Sequence, residues 1–294
     1  MTDILETFDL TKSYGNLHAV DHLNICMKQG SICAFLGQNG AGKSTTLRML
    51  LGMIHPTSGT GKIFGFAIDD ENESINIRKR VAFVAEDKRL YDYMTVEELI
   101  RFTSSFFPGW REDIAEKLRN RFQLPTDRKI RKLSKGMRTK LALVLAIGRG
   151  SDLLILDEPT EGLDPVAVDI MLETIVALTA EGKSTLFSSH QIAEVEQIAD
   201  HVLMINQGKL ILDSDMDSLK ENFKYIRIIY ENEKIIPSID VDCIKIKIEG
   251  PMVTIIANDG IDDIINNARL FGATNIDVEP ISLKEIFLEM VKPN

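Results

Sequence analysis

The chain has 294 residues, with 34 Lys and Arg against 44 Asp and Glu and 44% hydrophobic residues, an ordinary globular composition with room for about two domains. The net charge of −10 argues against a protein built to coat nucleic acid, which carries a basic stripe. The longest apolar run, Leu141 to Ile147, is far shorter than the roughly 18 residues of a membrane-spanning helix, so none is expected.

The start, Met1-Thr2-Asp3-Ile4-Leu5-Glu6, has no basic region followed by an apolar stretch, and the expectation is a protein that stays inside the cell. Cys26, Cys33 and Cys243 are an odd count without C-x-x-C, which fits neither a disulfide framework nor a zinc site. They are expected to be buried small hydrophobes.

Along the chain, short apolar runs at Ile32 to Leu36, Val81 to Val84, Leu153 to Leu156 and Val202 to Ile205 lack strict alternation and read as strands buried on both faces, as in a parallel sheet. Helical patterns lie between them: Lys43 to Leu51, Val96 to Phe106, Ile114 to Phe122, Gly136 to Ile147, and Pro165 to Ala180 with proline in its first turn. The alternation predicts an α/β fold with a doubly wound sheet. About residues 95–149 carry three helical patterns and no strand, so they read as a helical insertion. After Asp213 the texture changes, and beyond about residue 221 the chain turns to Ile-rich alternation, in Tyr225 to Tyr230 and Ile244 to Ile248, with helical patterns at Ile261 to Phe271 and Leu283 to Val291. The expectation is two domains, 1–220 and a small α+β domain 221–294 that serves as an accessory or regulatory surface.

The chemistry begins at Gly37-Gln38-Asn39-Gly40-Ala41-Gly42-Lys43-Ser44-Thr45, a G-x-x-x-x-G-K-S loop after a buried strand and before a helix. Its glycines let backbone N–H groups curl round a polyphosphate, and the helix that follows aims its positive end at the same anion. Lys43 is expected on the β and γ phosphates and the Ser44 hydroxyl on Mg²⁺. A second element, Leu153-Leu154-Ile155-Leu156-Asp157-Glu158-Pro159, ends an apolar strand in two carboxylates, where ligands of open α/β sheets bind. Asp157 is expected to face the Mg²⁺ and Glu158 to polarise the attacking water as general base.

With Leu133-Ser134-Lys135-Gly136-Met137-Arg138 added, the chain resembles the nucleotide-binding subunit of ATP-binding cassette (ABC) transporters, because that string is a variant of the family's LSGGQ signature. The resemblance covers about residues 4–213. It implies a P-loop NTPase cassette with a mostly parallel core sheet, an N-terminal antiparallel β region, a helical insertion and the appended domain. It also implies two cassettes, this chain with a second copy or a similar one, closing on two ATP·Mg²⁺, with Ser134 and Gly136 capping the γ-phosphate held by the opposite subunit. Tyr14 matches the aromatic that stacks on adenine, with Val20 beside it. Asp164, in Gly162-Leu163-Asp164, matches the loop that touches the partner, and His190, after Ser189, matches the switch histidine at the γ-phosphate.

Two departures stand out. Glu86 occupies the position of the family's glutamine and is expected to face Mg²⁺ through water. Lys135 and Met137 replace Gly and Gln of the fuller signature, and Arg138 and Lys140 place positive charge nearby. The resemblance implies an ATPase on the inner face of the membrane, driving a separate permease docked near Glu86 to Arg101, of export type. A soluble cassette acting on ribosomes or nucleic acid is the alternative. One phosphate loop and one signature argue against the ribosomal kind. The 91 residues from Lys43 to Ser134, broken by Pro56, Pro108 and Pro125, leave no room for the long coiled coil of the chromosomal kind.

Overall fold

A computed structural model describes residues 3–231 and 245–291. Its chain divides into two compact units, Met1–Asp213 and Ser214–Asn294, a division at the change of texture after Asp213 and a few residues before the expected 220/221 domain bounds.

The first unit opens with β1 (Asp3–Tyr14), β2 (Leu17–Leu23) and β3 (Cys26–Lys28), followed by β4 (Ile32–Leu36) and helix α1 (Lys43–Leu50). Strands β5 (Ser58–Ile63) and β6 (Phe66–Ala67), helix α2 (Glu71–Arg80) and β7 (Val81–Val84) come next. The helical insertion follows as α3 (Val96–Ser104), α4 (Glu112–Arg121) and α5 (Lys135–Gly148). The remainder is β8 (Leu153–Asp157), α6 (Pro165–Ala180), β9 (Ser184–Ser189), α7 (Ile192–Ile198), β10 (His201–Asn206) and β11 (Lys209–Asp215).

Two sheets result. The antiparallel one runs β2-β1-β5-β6, with β3 also paired to β1. The other runs β11-β10-β4-β9-β8-β7, with parallel pairing from β10 through β7. Strands β4, β8 and β9 are buried at every position, which explains the unbroken apolar runs Ile32 to Leu36 in β4 and Leu153 to Leu156 in β8, whereas β9 fills its buried positions with Ser and Thr around Leu186 and Phe187. Leu10, Val20 and Leu23 of the antiparallel strands share one core with Phe35, Leu47, Ile155 and Leu203.

The register of the parallel sheet positions the site. Leu36 lies opposite Ser189 and Asp157 opposite Ser188, so β4, β8 and β9 finish at one edge with β9 in the middle. The segments beginning at Gly37, Glu158 and His190 therefore leave the sheet side by side.

Helix α2 has no counterpart among the sequence-read helices. Only Ser74 and Ile77 are buried in it, so no apolar stripe announces it. It is held by its ends: the Asp70 carboxylate accepts from the Asn72 and Glu73 N–H groups, acids occupy the first turn and Arg78, Lys79 and Arg80 the last. Cysteine placement is also corrected in part. Cys33 is buried inside β4, whereas Cys26 is exposed, because β3 turns Met27 inward and its neighbours outward. Cys243 lies outside the described residues.

In the second unit, α8 (Met216–Asn222) precedes β12 (Lys224–Tyr230), and β13 (Lys245–Glu249) and β14 (Met252–Ala257) follow. Helix α9 (Ile261–Leu270), β15 (Ala273–Pro280) and α10 (Leu283–Val291) complete it. The antiparallel sheet runs β13-β14-β12-β15. Ile226, Ile228, Val253 and Ile255 pack with Ile264 and Ala268 of α9, as alternation in β12 requires. Ile244, expected in the next strand, lies outside the described residues.

Phe187 in β9 is fully buried between the two strands that carry the site. Phe187→Ala should lower unfolding free energy by about 3–5 kcal/mol through lost burial and the cavity left behind, as read by urea denaturation followed by circular dichroism.

Candidate functional site

The loop between β4 and α1 is shaped by glycines with little choice. A Cβ on Gly37 would lie 2.6 Å from the Ile205 carbonyl oxygen. Gly42 sits at φ 113° with its Cβ position 2.3 Å from the Ala19 carbonyl oxygen. Inside this loop the Lys43 ammonium donates to the carbonyls of Gly37, at 2.7 Å, and Gln38, at 3.4 Å. Ala41 and Lys43 are buried, Gly42, Ser44 and Thr45 half-buried, and Asn39 and Gly40 exposed.

At the end of β8 the Ser188 hydroxyl sets both carboxylates. It donates to Asp157 Oδ1 at 2.7 Å and accepts from the Glu158 N–H at 3.0 Å. Glu158 adopts φ 47°, the left-handed region that costs a non-glycine residue about 1–2 kcal/mol. That bend carries its side chain to the meeting point of the three segments. Oε2 is 2.8 Å from His190 Nδ1, and Oε1 is 3.1 Å from Lys43 Nζ, an ion pair whose angles fall short of a hydrogen bond. Lys43 and Glu158 are 5% and 9% exposed in their side chains, His190 47%. Lys88 Nζ reaches the Glu158 carbonyl at 3.5 Å, and burial lowers the pKa of this ammonium.

A second cluster joins the signature to the loop after Glu158. The Ser134 hydroxyl caps α5, accepting from the Met137 N–H at 3.2 Å. Lys135 pairs with Glu161 at 2.5 Å, Thr139 donates to the Glu161 carbonyl at 3.2 Å, and Lys140 pairs with Asp164 at 2.8 Å. Asp164 in turn caps α6 through the Ala167 N–H at 2.9 Å. These cations hold the Glu161 and Asp164 carboxyls below the usual carboxylate range. Gly136 is pressed against the same loop, since a Cβ there would lie 2.3 Å from the Gly162 carbonyl oxygen. The glycine therefore has a reason within this chain, besides any approach to phosphate. Arg138 pairs with Asp92 at 2.8 Å, so neither it nor Lys140 is a free solvated charge.

Other expected residues are placed differently. Tyr14 is 53% exposed, with the Lys12 ammonium 5.3 Å from its ring centre. Val20 is 0% exposed and part of the core, so its side chain offers no surface to a base, contrary to the expectation for it. Its place in β2 opposite Lys12 turns it inward. Glu86 is exposed, two residues before Lys88. Sequence reasoning missed Ser188, Lys88, Thr160 and Glu194, which act through contacts between segments far apart in the chain; Ser188 was signalled only by its neighbours Ser189-His190.

Residues 20–161 match the ABC transporter family. The bacitracin transport ATP-binding protein BcrA of Bacillus licheniformis is 36% identical over 98% of this chain and 96% of its own length. The Nod factor export ATP-binding protein I of Cupriavidus metallidurans is 36% identical over 72% of this chain and 71% of its own. Among solved structures, a dimeric ATP-binding cassette in a post-hydrolysis state bound to ADP and Pi superposes with a TM-score of 0.65 at 21% identity, covering 72% of this chain and 98% of that one, a likeness of fold. The chain belongs to the ATP-binding subunits of ABC transporters. It binds ATP and hydrolyses it, on a P-loop NTPase cassette.

Gly136→Ala gains at most about 1 kcal/mol of helix propensity, against about 1–3 kcal/mol for forcing a methyl group onto the Gly162 carbonyl. Net destabilisation is expected in urea titrations.

Proposed function

We propose that this ATPase subunit works as one of two cassettes that close on two ATP·Mg²⁺ and drive a separate membrane permease, in the direction of export. The observation that carries the reading is Glu158: a buried carboxylate at a strand end, with Oε1 beside Lys43 yet accepting no hydrogen bond and Oε2 beside His190. An acceptor left open in a buried site is suited to take a proton from water. Phosphate oxygens in the glycine loop would compete for Lys43 and free Oε1 for that work. With Nδ1–H of His190 donating to Glu158, Nε2 is the ring nitrogen available to the γ-phosphate. The catalysis is positioning and charge stabilisation.

Ser44 and Asp157 would hold Mg²⁺, with Glu86 through water. Their all-oxygen donor set suits a hard cation that keeps part of its water, and Asp157, 1% exposed, has no ion pair among the described residues. Bound there, the cation would neutralise developing phosphate charge. Tyr14 would stack on the base. Ser134 and Gly136, at the start of α5, would meet the phosphate of the second cassette, and Asp164, behind them, would set the loop that touches it. The dimeric cassette of the same fold supports this pairing, and the Nod factor export relative supports the direction.

No helix among the described residues is long and apolar enough to cross a membrane. Tyr91, Tyr93, Phe102 and Phe106 form a connected exposed aromatic patch before, on and just after α3, with ring centroids 4.9–6.0 Å apart. Such a patch suits a docked protein. Tyr91 and Tyr93 fall within the docking region expected at Glu86 to Arg101, and Phe102 and Phe106 just beyond it; a permease docked there would hold the subunit at the inner face of the membrane. The net charge of −10 speaks against a nucleic-acid partner. The unit beyond Asp213 would be an accessory or regulatory domain.

Crosslinking in native membranes, followed by affinity isolation and mass spectrometry, tests this. A polytopic membrane protein linked through the aromatic patch is expected. Recovery of ribosomal or chromosomal proteins, with salt-sensitive nucleic-acid binding, would overturn it.

A further inference from the structure

Behind the Glu158–His190 contact lies a second bridge between the same two segments. Glu194, on α7, is 7% exposed, and its Oε2 accepts from the Thr160 hydroxyl at 3.0 Å and the Ser189 hydroxyl at 3.2 Å. Thr160 is two residues beyond Glu158, and Ser189 immediately precedes His190. The Ser189 oxygen also accepts from the Gln191 N–H at 2.9 Å, and the Gln191 amide donates to Thr160 at 3.4 Å. One carboxylate thus ties together the turns that leave β8 and β9, on either side of His190.

Burial raises the pKa of Glu194, while the two hydroxyl donors pull it back, so the side chain is retained in an environment that disfavours its charge. Among the described residues it makes no ion pair. A buried carboxylate whose two hydroxyl contacts both lead to these turns contributes most through geometry. Without the bridge, the 2.8 Å Glu158–His190 contact would rest on an exposed imidazole on one side and, on the other, on a left-handed Glu158 held by Ser188 and Lys43, with the 3.4 Å Gln191–Thr160 contact left to tie its turn to that of His190.

We propose that Glu194 is a positioning residue for ATP hydrolysis, holding Glu158 and His190 at hydrogen-bond separation through Thr160 and Ser189. This inference rests on the assignment of Glu158 and His190 to the hydrolytic step. It is tested in the full chain by steady-state ATPase kinetics with ATP·Mg²⁺ and by fluorescent-nucleotide titration. Glu194→Ala should lower kcat about 10- to 100-fold, with KM and nucleotide affinity changed less than about 2-fold. Glu194→Gln, which keeps an acceptor oxygen, should stay within about 3-fold of the parent kcat.

In a His190→Ala background, Glu194→Ala should add less than about 2-fold, because the contact it maintains has already lost a member. Thr160→Val, which removes one donor without altering charge, should lower kcat about 3- to 10-fold and replaces Glu194→Ala if that variant does not fold. Parental kcat in Glu194→Ala or Thr160→Val, a matching loss of nucleotide affinity, or a loss that multiplies with that of His190→Ala would overturn the positioning role. Parental kcat in His190→Ala itself would overturn the hydrolytic assignment and the inference with it, whereas a steep loss there beside an unaffected Glu194→Ala overturns the inference alone.

Discussion

One carboxylate, Glu158, bridges an ammonium and an imidazole delivered by different strands, and the functional half of the first unit is arranged around that contact. Lys43 comes from the glycine loop after β4, His190 from the end of β9, and Glu158 from the bend after β8. A buried Lys–Glu pair contributes little net stability, since the desolvation of both charges offsets their attraction. Its consequence is positional. It brings the Lys43 ammonium and a Glu158 carboxylate oxygen within 3.1 Å, where a phosphate that draws off Lys43, as proposed, would alter the surroundings of the carboxylate.

The parallel register makes this meeting possible and Ser188 refines it. Because β9 lies between β4 and β8, a single hydroxyl on β9 reaches the side chain of Asp157 and the backbone of Glu158 at once. The hydrogen bonds offset the left-handed backbone that turns Glu158 away from the sheet. On the far side of the Glu158 loop, Lys135, Gly136, Thr139 and Lys140 fasten the signature helix to residues Glu161–Asp164. A displacement at Glu158 therefore has a short, packed route to the surface expected to meet a second cassette. In this chain, the Lys135 that departs from the family signature has an acidic partner in the same loop.

The fold and the phosphate chemistry were legible where the sequence repeats a local physical rule. The buried parallel strands β4, β7 and most of β8 and β10 read as unbroken apolar runs, and β4 and β7 have the expected bounds; α6 begins at Pro165 as a first-turn proline dictates. The glycine loop was legible because few other sequences can wrap backbone amides round a phosphate. Helix α2 was not, since its stability lies in capping and charge at its ends and only Ser74 and Ile77 turn inward. Val20 was misjudged because strand position, and not nearness to Tyr14, decides which way it faces. Ser188, Lys88 and Glu194 were illegible for a different reason: each acts across about thirty to seventy residues of chain, where only the folded sheet brings the groups together.

The central claim, that the Glu158 carboxylate accepts the proton while Lys43 and His190 position it, is tested most directly by comparing ATP turnover and ATP·Mg²⁺ affinity in Glu158→Gln with the parent chain. Loss of a positioned general base predicts turnover reduced about 10²- to 10⁴-fold, with nucleotide affinity retained. Turnover at the parental rate in the glutamine variant would contradict the account.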